Sequence, residues 1–183
     1  MRLSFVFHTT GLLFAFALLQ SCIEVQQTAD NDSDISHINV NHHAIHTEVF
    51  GAKNLPVLIV IHGGPGADSR YLLALSALSD RYRVVFYDQL GSGLSQRVSS
   101  SHITLASFIA DLDGVISHFS PHASVSIVGH SWGAMLATAY AGQYPEKVNR
   151  LVLAEPGFLD ADSLSELDFN KSPSWHLIAK VSI

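Results

Sequence analysis

One cysteine among 183 residues is too few for an internal disulfide or a cysteine-rich zinc site. Charge is also scarce: 14% of residues carry it, ten Lys+Arg against sixteen Asp+Glu, for a net charge of -6. No basic run exists, so nucleic acid is excluded as a partner on electrostatic grounds. Low charge beside 48% hydrophobic content excludes disorder as the overall state. The apolar run from Gly11 to Leu19 falls short of the roughly 18–20 residues that span a bilayer. No Gly-Lys-Ser/Thr follows Gly66, which removes a P-loop. Gln96 stands where a dinucleotide fingerprint beginning at Gly91 needs its third glycine. No internal repeat is present, and the length suits one domain.

The amino terminus has its own pattern. Met1 and Arg2 precede the Gly11–Leu19 run, which has the length of a signal-peptide core. Leu19-Gln20-Ser21-Cys22 follows, and it resembles the lipobox of bacterial lipoproteins. The resemblance implies a signal peptide over residues 1–21, lipid on Cys22, and a membrane-anchored lipoprotein of the bacterial cell envelope. Ile23 leans towards the periplasmic side of the outer membrane. Residues 22–35 are polar and aperiodic and read as a linker.

Residues 36–50 suggest a strand or hairpin carrying His37, His42, His43 and His46. His42 and His46 would share a strand face, yet no Cys or carboxylate pattern accompanies them, so no metal is expected. Leu55–Ile61 and Arg83–Tyr87 are continuous β-branched runs of the kind buried in parallel sheets. Residues 67–82 read as a helix with Leu72, Leu73, Leu75 and Leu78 on one side. Residues 104–119 read as an amphipathic helix capped by Thr104. A strand at 124–128, an Ala-rich helix at 132–143 and a strand at 150–154 complete an alternation typical of α/β folds, with a mostly parallel sheet and helices on both faces.

The third buried strand runs into Gly129-His130-Ser131-Trp132-Gly133, and a helix follows at once. Gly-x-Ser-x-Gly in this setting is a nucleophile elbow: a tight turn lifts Ser131 above the sheet, and the glycines let strand and helix backbones meet. An oxyanion hole needs backbone N–H groups aimed at the developing charge. Trp132 supplies one. The turn after the first parallel strand, His62-Gly63-Gly64-Pro65-Gly66, is placed to supply another through Gly64. His62, Gly63, Pro65, Gly66, Gly129, His130 and Gly133 shape the site. His130, beside the nucleophile, is expected to point away from its hydroxyl, and His62 to order its loop.

These motifs, with Asp88-Gln89-Leu90-Gly91-Ser92-Gly93-Leu94-Ser95 and Tyr144-Pro145-Glu146-Lys147-Val148, resemble the α/β-hydrolase superfamily, in particular its prolyl-iminopeptidase-like serine peptidases. The resemblance covers about residues 40–157. It implies a strand order of 1-2-4-3-5-6 continuing to strands 7 and 8, no cofactor, and hydrolysis of a small-molecule, ester or peptide substrate. The branch usually has Arg where Leu90 stands.

In the superfamily the triad acid and histidine come late in the chain. Here residues 36–157 read as the amino-terminal part of the domain, incomplete after the sixth strand, and 158–183 as the start of a cap or a tail. Glu155 as acid and His176 as base would give the right order with Ser131. The alternative is a truncated, inactive hydrolase fragment retaining a binding role. A sixth strand left at the sheet edge would also favour association between copies.

Overall fold

The computed structural model describes residues 26–156. Six strands form one sheet: β1 (His37–Val40), β2 (His43–Phe50), β3 (Val57–Ile61), β4 (Arg83–Tyr87), β5 (Val125–His130) and β6 (Val148–Ala154). Their order is β1-β2-β4-β3-β5-β6. The last four run parallel, and β1 and β2 form an antiparallel hairpin at one side. The strand order is the one implied by the resemblance.

All five residues of β3 are buried, as a β-branched central strand requires. Its side chains alternate between two cores. On one face Ile59, Ile61, Val85 and Ile127 pack under α1 (Leu105–Phe119) and α2 (Trp132–Gln143), through Phe108, Leu112, Ile116, Leu136 and Tyr140. On the other, Leu58, Val60, Val84 and Phe86 meet Leu72, Leu73 and Leu75. Thr104 caps α1 in a reciprocal box with Ser107.

The segment expected as a helix over 67–82 is a 3₁₀ helix from Ser69 to Asp80, opened by the Asp68 side chain accepting from the Arg70 N–H. With three residues per turn, Leu72, Leu75 and Leu78 fall on one face. Leu72 and Leu75 reach the core, while Leu78 at the far end stays exposed. His42 also departs from expectation. It sits in the β1–β2 turn with φ 70°, off the strand face that holds His46. His46 pairs across the hairpin with His37 instead. Part of the stretch read as linker is folded onto the domain: Thr28 and Ala29 are buried, and the Ala29 N–H donates to the Leu94 carbonyl at 2.8 Å. Among the described residues no helix is long and apolar enough to cross a membrane.

Parallel register brings the functional turns together. Ile61 pairs with Tyr87 and Gly129, and Gly129 with Leu153. The segments after β3, β4, β5 and β6 therefore leave the sheet on one edge. The chain passes from β3 to β4 on one side while β5 lies on the other, a switch point that opens a crevice at the strands' carboxyl ends.

Candidate active site

Ser131 occupies the turn between β5 and α2 with φ 53° and ψ -120°. A non-glycine residue held there stores strain of about 1–3 kcal/mol. Its surroundings hold it in place: the Ser131 N–H donates to the Ala154 carbonyl at 2.9 Å, and its own carbonyl accepts from Ala134 at 3.0 Å. The flanking glycines are sterically required. A Cβ on Gly129 would lie 2.4 Å from the Gly133 oxygen, and one on Gly133 would lie 2.3 Å from the Ile61 oxygen. Trp132 opens α2, so its N–H has no intrahelical acceptor, and the helix's positive end points into the turn.

The His62–Gly66 loop lies over this turn. A Cβ on Gly63 would come within 3.2 Å of both Ser131 Cβ and His130 Nδ1. The Gly64–Pro65 peptide is cis. The Gly63 N–H donates to Tyr71 Oη at 2.6 Å. Tyr71 Oη also lies 2.9 Å from His130 Nδ1. On the ring's other edge, Nε2 of His130 lies 3.6 Å from Glu155 Oε2. Glu155 turns out of β6 with φ 44°.

A second, buried network holds the floor. His62 Nδ1–H donates to the Gly63 carbonyl at 2.7 Å, and Nε2 accepts from the Gln89 N–H at 2.9 Å. Burial pushes the His62 imidazole below its ordinary value near 6.5, against the opposing pull of the Gly63 carbonyl and of Asp88. The Gln89 side chain donates to the His62 carbonyl at 2.8 Å and accepts from Trp132 Nε1–H at 2.9 Å. One amide thereby ties the His62–Gly66 loop to the residue that follows Ser131. Asp88, also buried, accepts from the Ser69 and Leu94 N–H groups, each at 2.8 Å, and fixes the turn after β4.

Residues 56–176 match the alpha/beta hydrolase fold family. The chain belongs to that family. It is 38% identical over 100 residues to a proline iminopeptidase of Heyndrickxia coagulans, a match covering 54% of this chain and 34% of the relative. It is 32% identical over 102 residues to a cis-3-alkyl-4-alkyloxetan-2-one decarboxylase of Shewanella oneidensis, covering 55% and 32%. A solved proline iminopeptidase-related protein from Thermus thermophilus superposes with a TM-score of 0.60 at 26% identity, covering 67% of this chain and 44% of that one. The matched region therefore spans about a third of the two curated relatives' length. Within the family the chain is a prolyl-iminopeptidase-like relative.

Not every expected residue of this α/β hydrolase meets its expected partner. Gly63 lies against Ser131, Gly129 and Gly133 flank it, and Trp132 opens the helix that follows. Glu155 lies against His130. His176 and Cys22 lie outside the described residues. Among the described residues no side chain hydrogen-bonds the Ser131 hydroxyl. Sequence reasoning missed Tyr71 and the linking role of Gln89. Tyr71 had one usable signal, an aromatic set among the leucines of a segment leaving the oxyanion loop. Gln89 had only its place in the Asp88–Ser95 motif.

Proposed function

We propose that this chain carries the nucleophile and oxyanion hole of a serine hydrolase that transfers an acyl group to water, from the amino-terminal residue of a peptide or from an ester. The observation that supports it is Ser131 at φ 53° beneath the Gly63–Gly64 loop, at the amino terminus of α2. In this reading Ser131 Oγ attacks the carbonyl carbon and passes its proton to a histidine base. The tetrahedral oxygen takes hydrogen bonds from the Gly64 and Trp132 N–H groups. Collapse expels the amine or alcohol, which takes up that proton. Water then releases the acyl group from Ser131. Ser131, Glu155 and His176 have the family's chain order for nucleophile, acid and base. The contact of Glu155 with His130 means that the carboxylate would serve His176 only by leaving that neighbour.

Labelling of the full chain with a fluorophosphonate tests the reading, alongside hydrolysis of p-nitrophenyl acetate and of an amino-terminal proline amide. Slow labelling that disappears in Ser131→Ala is expected. No labelling, or labelling that survives Ser131→Ala, overturns it. Preference for the amide over the ester assigns the peptidase.

A further inference from the structure

Four polar groups set how the chain is turned at Gly63: the His62 carbonyl, the N–H and carbonyl of Gly63, and the Gly64 N–H. The His62 carbonyl accepts from the Gln89 side chain at 2.8 Å, and the Gly63 carbonyl accepts from His62 Nδ1–H at 2.7 Å. Both ties belong to the buried floor. The Gly63 N–H donates to Tyr71 Oη at 2.6 Å. The Gly64 N–H has no acceptor among the described residues. The Gly63–Gly64 peptide is trans, so its N–H and carbonyl lie on opposite sides. With the carbonyl turned to the His62 ring, the Gly64 N–H is turned away from that ring.

Tyr71 differs from the other two ties. Gln89 and His62 are buried, whereas Tyr71 is 50% exposed. It comes from a separate element, the 3₁₀ helix whose first residue is fixed by the Ser69 N–H on Asp88 at 2.8 Å. Leu72 beside it packs into the core. The phenol oxygen also touches the elbow, 2.9 Å from His130 Nδ1, and the two rings meet edge-on with centroids 5.4 Å apart. The point that a Gly63 Cβ would occupy has Tyr71 Oη at 3.0 Å, and His130 Nδ1 and Ser131 Cβ each at 3.2 Å. One hydroxyl oxygen therefore bridges the loop and the residue before Ser131, on the open side of the crevice. A phenylalanine would bury the same ring and make neither polar contact.

We propose that Tyr71 is a positioning residue for acyl transfer at Ser131, a role that rests on the reading of Ser131 as the nucleophile. By taking the Gly63 N–H, its hydroxyl fixes the turn that presents the free Gly64 N–H to the oxygen that becomes negative. Held against His130 at the same time, it keeps that donor at a set spacing from the serine. Tyr71 makes no bond to the substrate. Without the hydroxyl the Gly63 N–H loses its acceptor and the turn loosens. The loss then falls on the transition state, where the charge develops, and not on binding of the uncharged carbonyl. Removing an oxyanion donor outright costs about 10²–10³-fold in rate, and letting one drift costs less, about tenfold.

The experiment compares the full chain with Tyr71→Phe. Fluorophosphonate labelling is followed over a range of probe concentrations, which gives a limiting rate, a half-saturating concentration and a final labelled fraction. Amide NMR follows Gly63 in both proteins. In Tyr71→Phe the limiting rate should fall about tenfold, with half-saturation within about twofold and the labelled fraction unchanged. The Gly63 amide proton should move upfield and exchange faster with solvent. In the unsubstituted chain that proton should be downfield and slow to exchange, and its absence there overturns the proposal even if Tyr71→Phe does not fold. An unchanged limiting rate, in a chain whose labelling requires Ser131, overturns it as well. A smaller labelled fraction at an unchanged rate assigns Tyr71 to stability alone. A slower rate with an unmoved Gly63 amide means that the hydroxyl meets the substrate itself, which also contradicts positioning. If labelling of the unsubstituted chain does not require Ser131, the acyl-transfer reading and the role of Tyr71 fall together.

Discussion

Replacing Gln89 by Leu is expected to loosen both sides of the oxyanion hole at once. The side chain is 2% exposed and makes two good hydrogen bonds, to the His62 carbonyl and from the Trp132 indole. Leucine has similar bulk and forms neither. Each lost bond removes about 1 kcal/mol of net stabilisation, and each buried group left unpaired costs about 1–3 kcal/mol. The added apolar burial of Leu offsets part of this, which leaves a loss of about 2–4 kcal/mol. For a domain of this size that is a fall of roughly 10 °C in melting temperature. Gln89→Glu separates packing from bonding. It keeps the shape and an acceptor for Trp132, but it sets a carboxylate oxygen against the His62 carbonyl, so it should be at least as damaging. The backbone bond from Gln89 N–H to His62 Nε2 survives both changes. Thermal unfolding of the full chain gives the stability, and the fluorophosphonate labelling rate of the still-folded fraction gives the geometry. A melting temperature within about 1–2 °C of the unsubstituted chain in both variants, with an unchanged labelling rate, would refute the view that one amide couples loop and elbow.

Ser131→Gly should raise stability by about 1 kcal/mol, because glycine relieves the strain at φ 53°, while labelling is lost. A destabilised glycine variant in chemical denaturation would mean that the turn holds no such strain. His62 has a folded pKa below its ordinary value near 6.5, so the folded chain binds fewer protons there than the unfolded one. Its contribution is complete above about pH 6.5 and is lost as pH falls from there towards the folded value. Denaturation midpoints should therefore drop between about pH 7.5 and 5, and His62→Gln should flatten that slope; equal slopes would contradict the assignment. We also propose that Cys22 carries lipid. Intact mass from a lipoprotein-processing host should begin at Cys22 with added acyl mass, and Cys22→Ala should leave the membrane fraction. A mature form beginning elsewhere, or unchanged partitioning, counts against this.

How far the sequence carried depended on the kind of interaction. Strands β3 and β4 announce themselves because a strand buried on both faces must be apolar throughout, and Val57–Ile61 is. The elbow is equally legible: backbone contacts of 2.3–2.4 Å from the hypothetical Cβ atoms leave no alternative to glycine at 129 and 133. Such constraints act at a single position, so one chain displays them. The 3₁₀ segment was harder, because the spacing of three at Leu72, Leu75 and Leu78 suits a 3₁₀ helix and also falls within the three-to-four spacing of an α-helix face. The choice was made by packing on Leu58, Val60, Val84 and Phe86, which lie outside the segment. The side-chain networks were out of reach for a related reason. Tyr71 meets His130 across 59 positions, Gln89 meets Trp132 across 43, and Asn41 meets Asp111 across 70. None of these residues is restricted to its partner by its own chemistry. A glutamine that accepts from an indole looks, in a sequence, like any glutamine in a turn. What joins them is the parallel register that sets Ile61, Tyr87 and Gly129 level, so that four separate turns rise at one edge of the sheet. The fold is therefore legible from local periodicity. The tight turn at Ser131 is legible from local sterics. The residues that hold the nucleophile's neighbours in place become visible only when the register is known, and they are where substitutions should alter reactivity without touching a motif.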